Sequence, residues 1–227
     1  MAGPSSAAEV IAATVPPGPG KRVLDVGCGG GDFARALAAM GYQVAGADPQ
    51  ADKVSLAKTK VPTGSFAVAG AEALPFEPGS FDAVTMVHSL HHVPGPLMER
   101  ALKEALRCLK TAAPIIVVEP LAEGPFFAVL RLVDDETTVR AAAQAALEEA
   151  CRKGLLRRVA THRWERREVF GDAATVIDRM VAADPARRPL AEAKAAEIAA
   201  MMRQVGDATP GGLALVNLSR ADIFVAG

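Results

Sequence analysis

The chain has 227 residues with 25 basic and 26 acidic side chains, long enough for one large domain that buries roughly 70% of its unfolded surface. No window is dominated by lysine and arginine, so the electrostatic footprint of a nucleic-acid binder is missing and a small-molecule partner is expected. Three cysteines, Cys28, Cys108 and Cys151, without CxxC or Cys/His spacing, speak against a disulfide framework and a zinc site.

The N-terminus lacks a basic start followed by an apolar core, and no apolar run reaches the length of a membrane span. A cytoplasmic protein with no membrane association, monomeric or homodimeric, is the expectation. A short helix is read near Ala7 to Val15. From Lys21 to Pro120, β-rich apolar runs alternate with helical patterns, the mark of βαβ units on a parallel sheet. Strands are predicted at KRVLDVG, YQVAGAD, GSFAVAG, FDAVTMVH and PIIVVEP. Helices fall between them: DFARALAAMG, stopped by Gly41; PQADKVSLAKT; and PLMERALKEALRCLK, whose Leu97, Ala101, Leu102, Ala105 and Leu109 share one face.

After Pro120 the rhythm changes. A helix from about Asp134 to Lys153 starts at the acidic DDET, and two more fit DAATVIDRMVAADP and PLAEAKAAEIAAMMRQVG. Strands at RWERREVF and GGLALVNLSRADIFVA flank the last helical pair. The fold class expected is α/β: a Rossmann-like, seven-stranded, mostly parallel sheet with helices on both faces and a C-terminal helical insertion. The chain is read as a single domain over residues 1–227, with residues 20–120 binding a cofactor and 121–227 supplying substrate-side helices and the last strands.

The stretch VLDVGCGGGDF, residues 23–33, carries the strongest signal. A nicotinamide dinucleotide loop needs G-x-G-x-x-G, but counting from Gly27 the third glycine position holds Asp32, a carboxylate near where a pyrophosphate would rest. A Walker loop needs a lysine followed by serine or threonine, and none closes this run. The register that fits is acid-x-Gly-x-Gly-x-Gly, made by Asp25, Gly27, Gly29 and Gly31. It resembles motif I of the class I S-adenosylmethionine (SAM)-dependent methyltransferases, small-molecule type. SAM carries an ammonium and a sulfonium and no phosphate, so a loop of backbone N–H groups and acidic side chains suits it.

The resemblance extends over residues 20–120 and implies a set of cofactor contacts: Asp25, Gly27, Cys28, Gly29 and Gly31 in the loop, and Asp48 on the ribose hydroxyls. Asp48 read alone could instead cap the following helix. Pro49 would lie under the adenine, with Val87 at the end of the fourth strand. AGAEALPFEPGSFDAVTMVHSLHHV is similar to a stretch common in the family, which places an acid for the adenine amino group where this chain has Gly70. Ala71 can still offer backbone groups, and Glu72 either compensates or faces solvent.

For chemistry, His88 is the first candidate base, near His91 and His92 at the end of the fourth strand; otherwise it lines the pocket. His92, the histidine shared with the family, is expected to pack and hydrogen-bond. Glu119 could orient a substrate amine or hydroxyl, or cap the next turn. Phe126 and Phe127 either begin a pocket wall or anchor their loop. The implied reaction is methyl transfer from SAM to an oxygen, nitrogen or carbon of a small molecule, with no metal. Its rivals are a SAM-binding protein without transferase activity and a nicotinamide oxidoreductase.

Overall fold

The computed structural model describes residues 3–182 and 184–227; Ala183, within the expected helix DAATVIDRMVAADP, lies outside the described residues. Along the chain come α1 (Ala7–Thr14), β1 (Arg22–Val26), α2 (Asp32–Ala39), β2 (Gln43–Asp48), α3 (Ala51–Lys60), β3 (Ser65–Val68), β4 (Ala83–Val87), α4 (Gly95–Cys108) and β5 (Ile115–Pro120). They continue with α5 (Pro125–Leu130), α6 (Thr137–Arg152), β6 (Leu156–Phe170), α7 (Ala173–Val181), α8 (Arg188–Ala193), α9 (Ala195–Val205), β7 (Asp207–Thr209) and β8 (Gly212–Ala226). Among the described residues no helix is long and apolar enough to cross a membrane.

The chain divides into two compact units, and the division is not a cut at residue 120. Unit 1 comprises residues 1–119, 142–163 and 220–227, and unit 2 comprises 120–141 and 164–219. The reason lies in the core of unit 1. Ala143, Leu147 and Ala150 of α6, Leu156 of β6 and Phe224 of β8 are buried with Leu24, Val26, Val84, Met86, Ile115 and Val117, so late segments complete an early sheet.

In unit 1 the strand order runs β3-β2-β1-β4-β5 and continues with stretches of β8 and β6. The ladders β1–β2, β1–β4, β2–β3 and β4–β5 are all parallel. Order reverses at β1, with β2 on one side and β4 on the other; open α/β sheets bind ligands in the crevice beyond strand carboxyl ends at such a point. One face of the sheet packs on α4, which contributes Met98, Ala101, Leu102, Ala105 and Cys108. Burying Met98 and Leu102 contributes about 1.5–3 kcal/mol each, and the smaller side chains less. Gly41 stops α2 as predicted, with φ +95° and its N–H donating to Ala38 O at 3.0 Å.

Unit 2 has its own core, built by Phe126 and Val129 of α5, Phe170, and Val176, Ile177, Met180, Val181, Ala191, Ile198 and Met202 of α7 to α9. A reciprocal capping box between Asp172 and Thr175 opens α7. β7 and β8 form an antiparallel hairpin, Asp207 pairing with Ala214. Seven strands lie on the main path of the sheet, as expected, with the three-residue β7 as an addition. β6 begins at Leu156, well before RWERREVF, because RRVATH already alternates exposed and half-buried side chains.

Candidate functional site

The loop between β1 and α2 turns on three glycines in the left-handed region: Gly27 at φ +76°, Gly29 at +49° and Gly31 at +80°. Their missing side chains serve different ends. A Cβ on Gly27 would lie 2.3 Å from Ser89 Cβ, and one on Gly31 would lie 2.7 Å from Ala57 Cα, so both positions admit close packing of the loop. A Cβ on Gly29 would meet nothing within 4 Å; here the backbone is open to an incoming group. The N–H groups of Gly27 and Cys28 donate to Ala47 O at 2.8 and 3.0 Å, which ties the loop to β2. Cys28 turns inward: its Sγ lies 2.9 Å from where a Cβ on Gly46 would stand, and burial pushes its thiol up to about 12. Any contact Cys28 offers a ligand is therefore through its backbone.

Two buried carboxylates flank the loop. Asp25, 2% exposed, accepts the Thr85 hydroxyl at 3.1 Å. Burial raises its pKa to about 7, with the charge of Asp48 adding to the rise and the Thr85 bond opposing it. Asp48 accepts the N–H of Gly29 at 2.9 Å on one oxygen and the N–H of Gln50 at 2.9 Å on the other. It thus fixes the open glycine and the entry to α3 together. A carboxylate has about four lone-pair sites, so two remain for other donors. Pro49 beside it is exposed.

Beyond β3, the Ala69 N–H donates to Asp48 O at 3.1 Å, and the Ala73 N–H closes a turn on Gly70 O at 3.2 Å. Gly70 lies outside the left-handed region. Ala71 packs on the core of unit 1, and the Glu72 carboxylate is folded over Gly70.

At the end of β4, Val87 is half-buried and registered on Val118. His88 is exposed and held at φ +53°, a strained value for a residue with a side chain; its N–H donates to Val118 O at 2.8 Å. Ser89 donates its hydroxyl to Val26 O at 2.7 Å, so this segment leans on the glycine loop. A 3-10 turn, Leu90–His92, follows. Glu119, 2% exposed, supports it: Oε1 accepts the N–H groups of Leu90 at 3.0 Å and His91 at 3.4 Å, and Oε2 meets the His91 ring at Nδ1. The two oxygens of Glu119 thus face the Leu90–His92 turn, 28 and 29 residues earlier in the chain. His91 is buried against Glu119, and His92 is exposed with its ring 4.0 Å from that of His91.

Thr85 and Ser89, which bond to Asp25 and Val26, were passed over by sequence reasoning, and His91, named there beside His88, is the histidine that meets Glu119. Two signals were present: a threonine inside an otherwise apolar strand, and an acid in VVEP that, once buried, requires a donor. Phe126 and Phe127 are 5% and 4% exposed within unit 2, Phe126 stacked on Phe170 and Phe127 beneath the Arg140 guanidinium. They follow the anchoring alternative.

Residues 24–117 match the family described as "Methyltransferase domain". Among curated proteins, the ubiquinone biosynthesis O-methyltransferase of Xanthomonas campestris is 46% identical over 84 residues, 35% of each chain. The demethylmenaquinone methyltransferase of Renibacterium salmoninarum is 37% identical over 123 residues, 54% of this chain and 50% of that one. The chain therefore matches half or less of the length of these relatives. Among solved structures, the YcgJ protein of Bacillus subtilis shares the fold, with a TM-score of 0.65 at 21% identity over 96% of this chain and 97% of that one. Residues 24–117 are thus similar to the methyltransferase domain, and the chain shares the fold of a solved protein over nearly its whole length.

Proposed function

We propose that the chain binds SAM beyond the carboxyl ends of β1, β2 and β3 and transfers its methyl group to a small-molecule acceptor. The observation that carries this reading is the bond from the Gly29 N–H to Asp48: the one loop glycine with an open side is held by a buried carboxylate, with the buried Asp25 behind it. The donor set fits SAM. Carboxylates without a lysine or arginine partner among the described residues favour a ligand with an ammonium, a sulfonium and a ribose diol, and oppose a pyrophosphate.

When bound, SAM supplies an electrophilic methyl on a sulfonium. The protein's task is chiefly to hold an acceptor in line with it, and such positioning can supply about 7–11 kcal/mol of the barrier. In this reading Asp48 binds the ribose hydroxyls, the glycine loop admits the methionine portion, and Asp25 with Thr85 sets the charge beneath it. His88 receives the acceptor's proton where the nucleophile must lose one. Glu119 acts as a positioning residue: it holds the turn through Leu90 and His91 that fixes His88. The acceptor is an oxygen, nitrogen or carbon nucleophile. The matches to the ubiquinone biosynthesis O-methyltransferase and the demethylmenaquinone methyltransferase span 35% and 54% of this chain, so they do not name the acceptor.

Calorimetry with SAM, S-adenosylhomocysteine and NADH tests the cofactor. Micromolar binding of the first two and none of NADH is expected; saturable NADH binding without SAM would sink the reading. Asp48→Ala should weaken SAM by about 1–3 kcal/mol through lost charge-assisted hydrogen bonds. Release of S-adenosylhomocysteine across a metabolite collection then identifies the acceptor, and no release from any acceptor class would favour a binding protein over a transferase.

A further inference from the structure

The parallel order β3-β2-β1 places the carboxyl end of β2 between those of its neighbours, and Val68 of β3 is registered on Asp48 of β2. Adjacent strands lie about 5 Å apart. A ligand held by the loop after β1 and by Asp48 after β2 therefore reaches, one strand further on, the turn from Ala69 to Ala73. With ribose on Asp48 and the methionine portion at the glycine loop, the part that reaches this turn is the adenine ring.

At that turn Gly70 offers no side chain, yet the space is filled. Both Glu72 carboxylate oxygens would lie 2.5 Å from a Cβ built on Gly70, and Glu72 Cδ would lie 2.7 Å from it. The acid two residues on thus occupies the volume that a side chain at position 70 would take. Glu72 is only half-exposed, and among the described residues its carboxylate accepts no hydrogen bond and joins no ion pair. A carboxylate partly removed from water without a donor is costly, and a bound ligand's N–H group would relieve that cost.

We propose that the Glu72 carboxylate, folded over Gly70, accepts the exocyclic amino group of adenine and so performs the role left open by the glycine. The inference rests on the SAM reading above and assigns base recognition to a residue displaced along the turn. It also bears on Gly70→Asp. The backbone there tolerates a side chain, but the new carboxylate must evict Glu72 and meets a like charge.

The test compares S-adenosylhomocysteine with S-inosylhomocysteine, in which a 6-oxo group replaces the 6-amino group, by calorimetry on the full chain. The wild type should prefer the amino compound by about tenfold or more, the scale of one hydrogen bond to a charged acceptor. Glu72→Ala and Glu72→Gln should lower affinity for the amino compound and erase the preference, leaving the 6-oxo compound unchanged or better bound. Gly70→Asp alone should gain little, whereas Gly70→Asp in the Glu72→Ala background should restore the preference. Equal weakening of both compounds by Glu72→Ala would overturn the proposal, because a merely structural role acts on both. So would unchanged affinity for S-adenosylhomocysteine in Glu72→Ala while Asp48→Ala still weakens it, with the SAM reading left intact. If the wild type binds neither compound, the SAM reading itself fails.

Discussion

The acids at the strand ends of unit 1 are held differently from four acids of unit 2. At the strand ends of unit 1, Asp25 is bonded to a threonine hydroxyl, Asp48 to two backbone N–H groups, and Glu119 to two backbone N–H groups and a histidine ring. In unit 2 four acids are instead paired with arginines: Arg187 with Asp134, Arg140 with Glu136, Arg179 with Glu168 and Arg188 with Asp178. Two of those arginines also lie over rings, Arg140 over Phe127 and Arg179 over Phe126. An acid paired with arginine has its field largely cancelled, whereas one held by neutral donors keeps a negative potential around it. Burial chiefly raises the pKa of Asp25, with no cationic partner to oppose it and the charge of Asp48 adding to the rise. The strand ends of unit 1 therefore present acids that suit a cationic ligand, whereas these four acids of unit 2 are already paired.

The sharpest way to separate the units is to damage one core. Phe126→Ala removes a buried ring stacked at 6.2 Å on Phe170 and should cost about 3–5 kcal/mol. A thermal melt should show the loss, while affinity for S-adenosylhomocysteine in the folded variant stays within about threefold. Loss of that affinity would break the contrast, because the ligand would then depend on unit 2.

Within unit 1 the glycines offer a finer cut. Gly27→Ala places a methyl 2.3 Å from Ser89 Cβ on a backbone at φ +76°, and should destabilise by about 2–4 kcal/mol. Gly29→Ala meets no neighbour and carries only the left-handed backbone cost of about 1–2 kcal/mol. It should nevertheless weaken S-adenosylhomocysteine at least as much as Asp48→Ala does, since its methyl stands on the side left open for the ligand. Equal melting temperatures for the two variants, or normal binding by Gly29→Ala, would contradict the division of roles in the loop.

How far these features could be read from sequence depended on their range along the chain. β1 to β5 are short apolar runs bounded by turn residues, so their patterning was enough. α5 has six residues, less than two turns, and β7 has three; neither is long enough to display a period, and β7 exists through its pairing with β8. Asp25, the loop glycines and Asp48 were legible because they fall within one βαβ unit. Thr85 meets Asp25 across 60 residues and Ser89 meets Val26 across 63, and no local pattern announces such contacts. Glu119 showed itself as an acid in an apolar strand, but its partners Leu90 and His91 lie 29 and 28 residues back, and only the fold reveals which way its carboxylate turns.

The smallest predicted effect tests the uncompensated charge directly. Asp25 titrates at about 7 in the folded protein against 3.8 for an unperturbed aspartate, so between those values the folded state holds a proton that the unfolded state has released. Its contribution to stability is complete below about pH 4 and is lost as pH rises through 7. Between pH 8 and pH 6 the ligand-free protein should gain on the order of 1 kcal/mol from this group. Binding runs the other way. A ligand that presents an ammonium to the site favours ionised Asp25, so at pH 6 the proton must first leave, and affinity should fall by up to about tenfold relative to pH 8. Proton release measured in buffers of different ionisation enthalpy should accompany binding at the lower pH. The decisive quantity is the difference from Asp25→Asn, in which the opposed trends in melting and affinity should both flatten. If affinity in the folded Asn variant keeps its full pH dependence, the negative potential of unit 1 has another source, and the contrast between neutral-held and arginine-held acids does not explain the site.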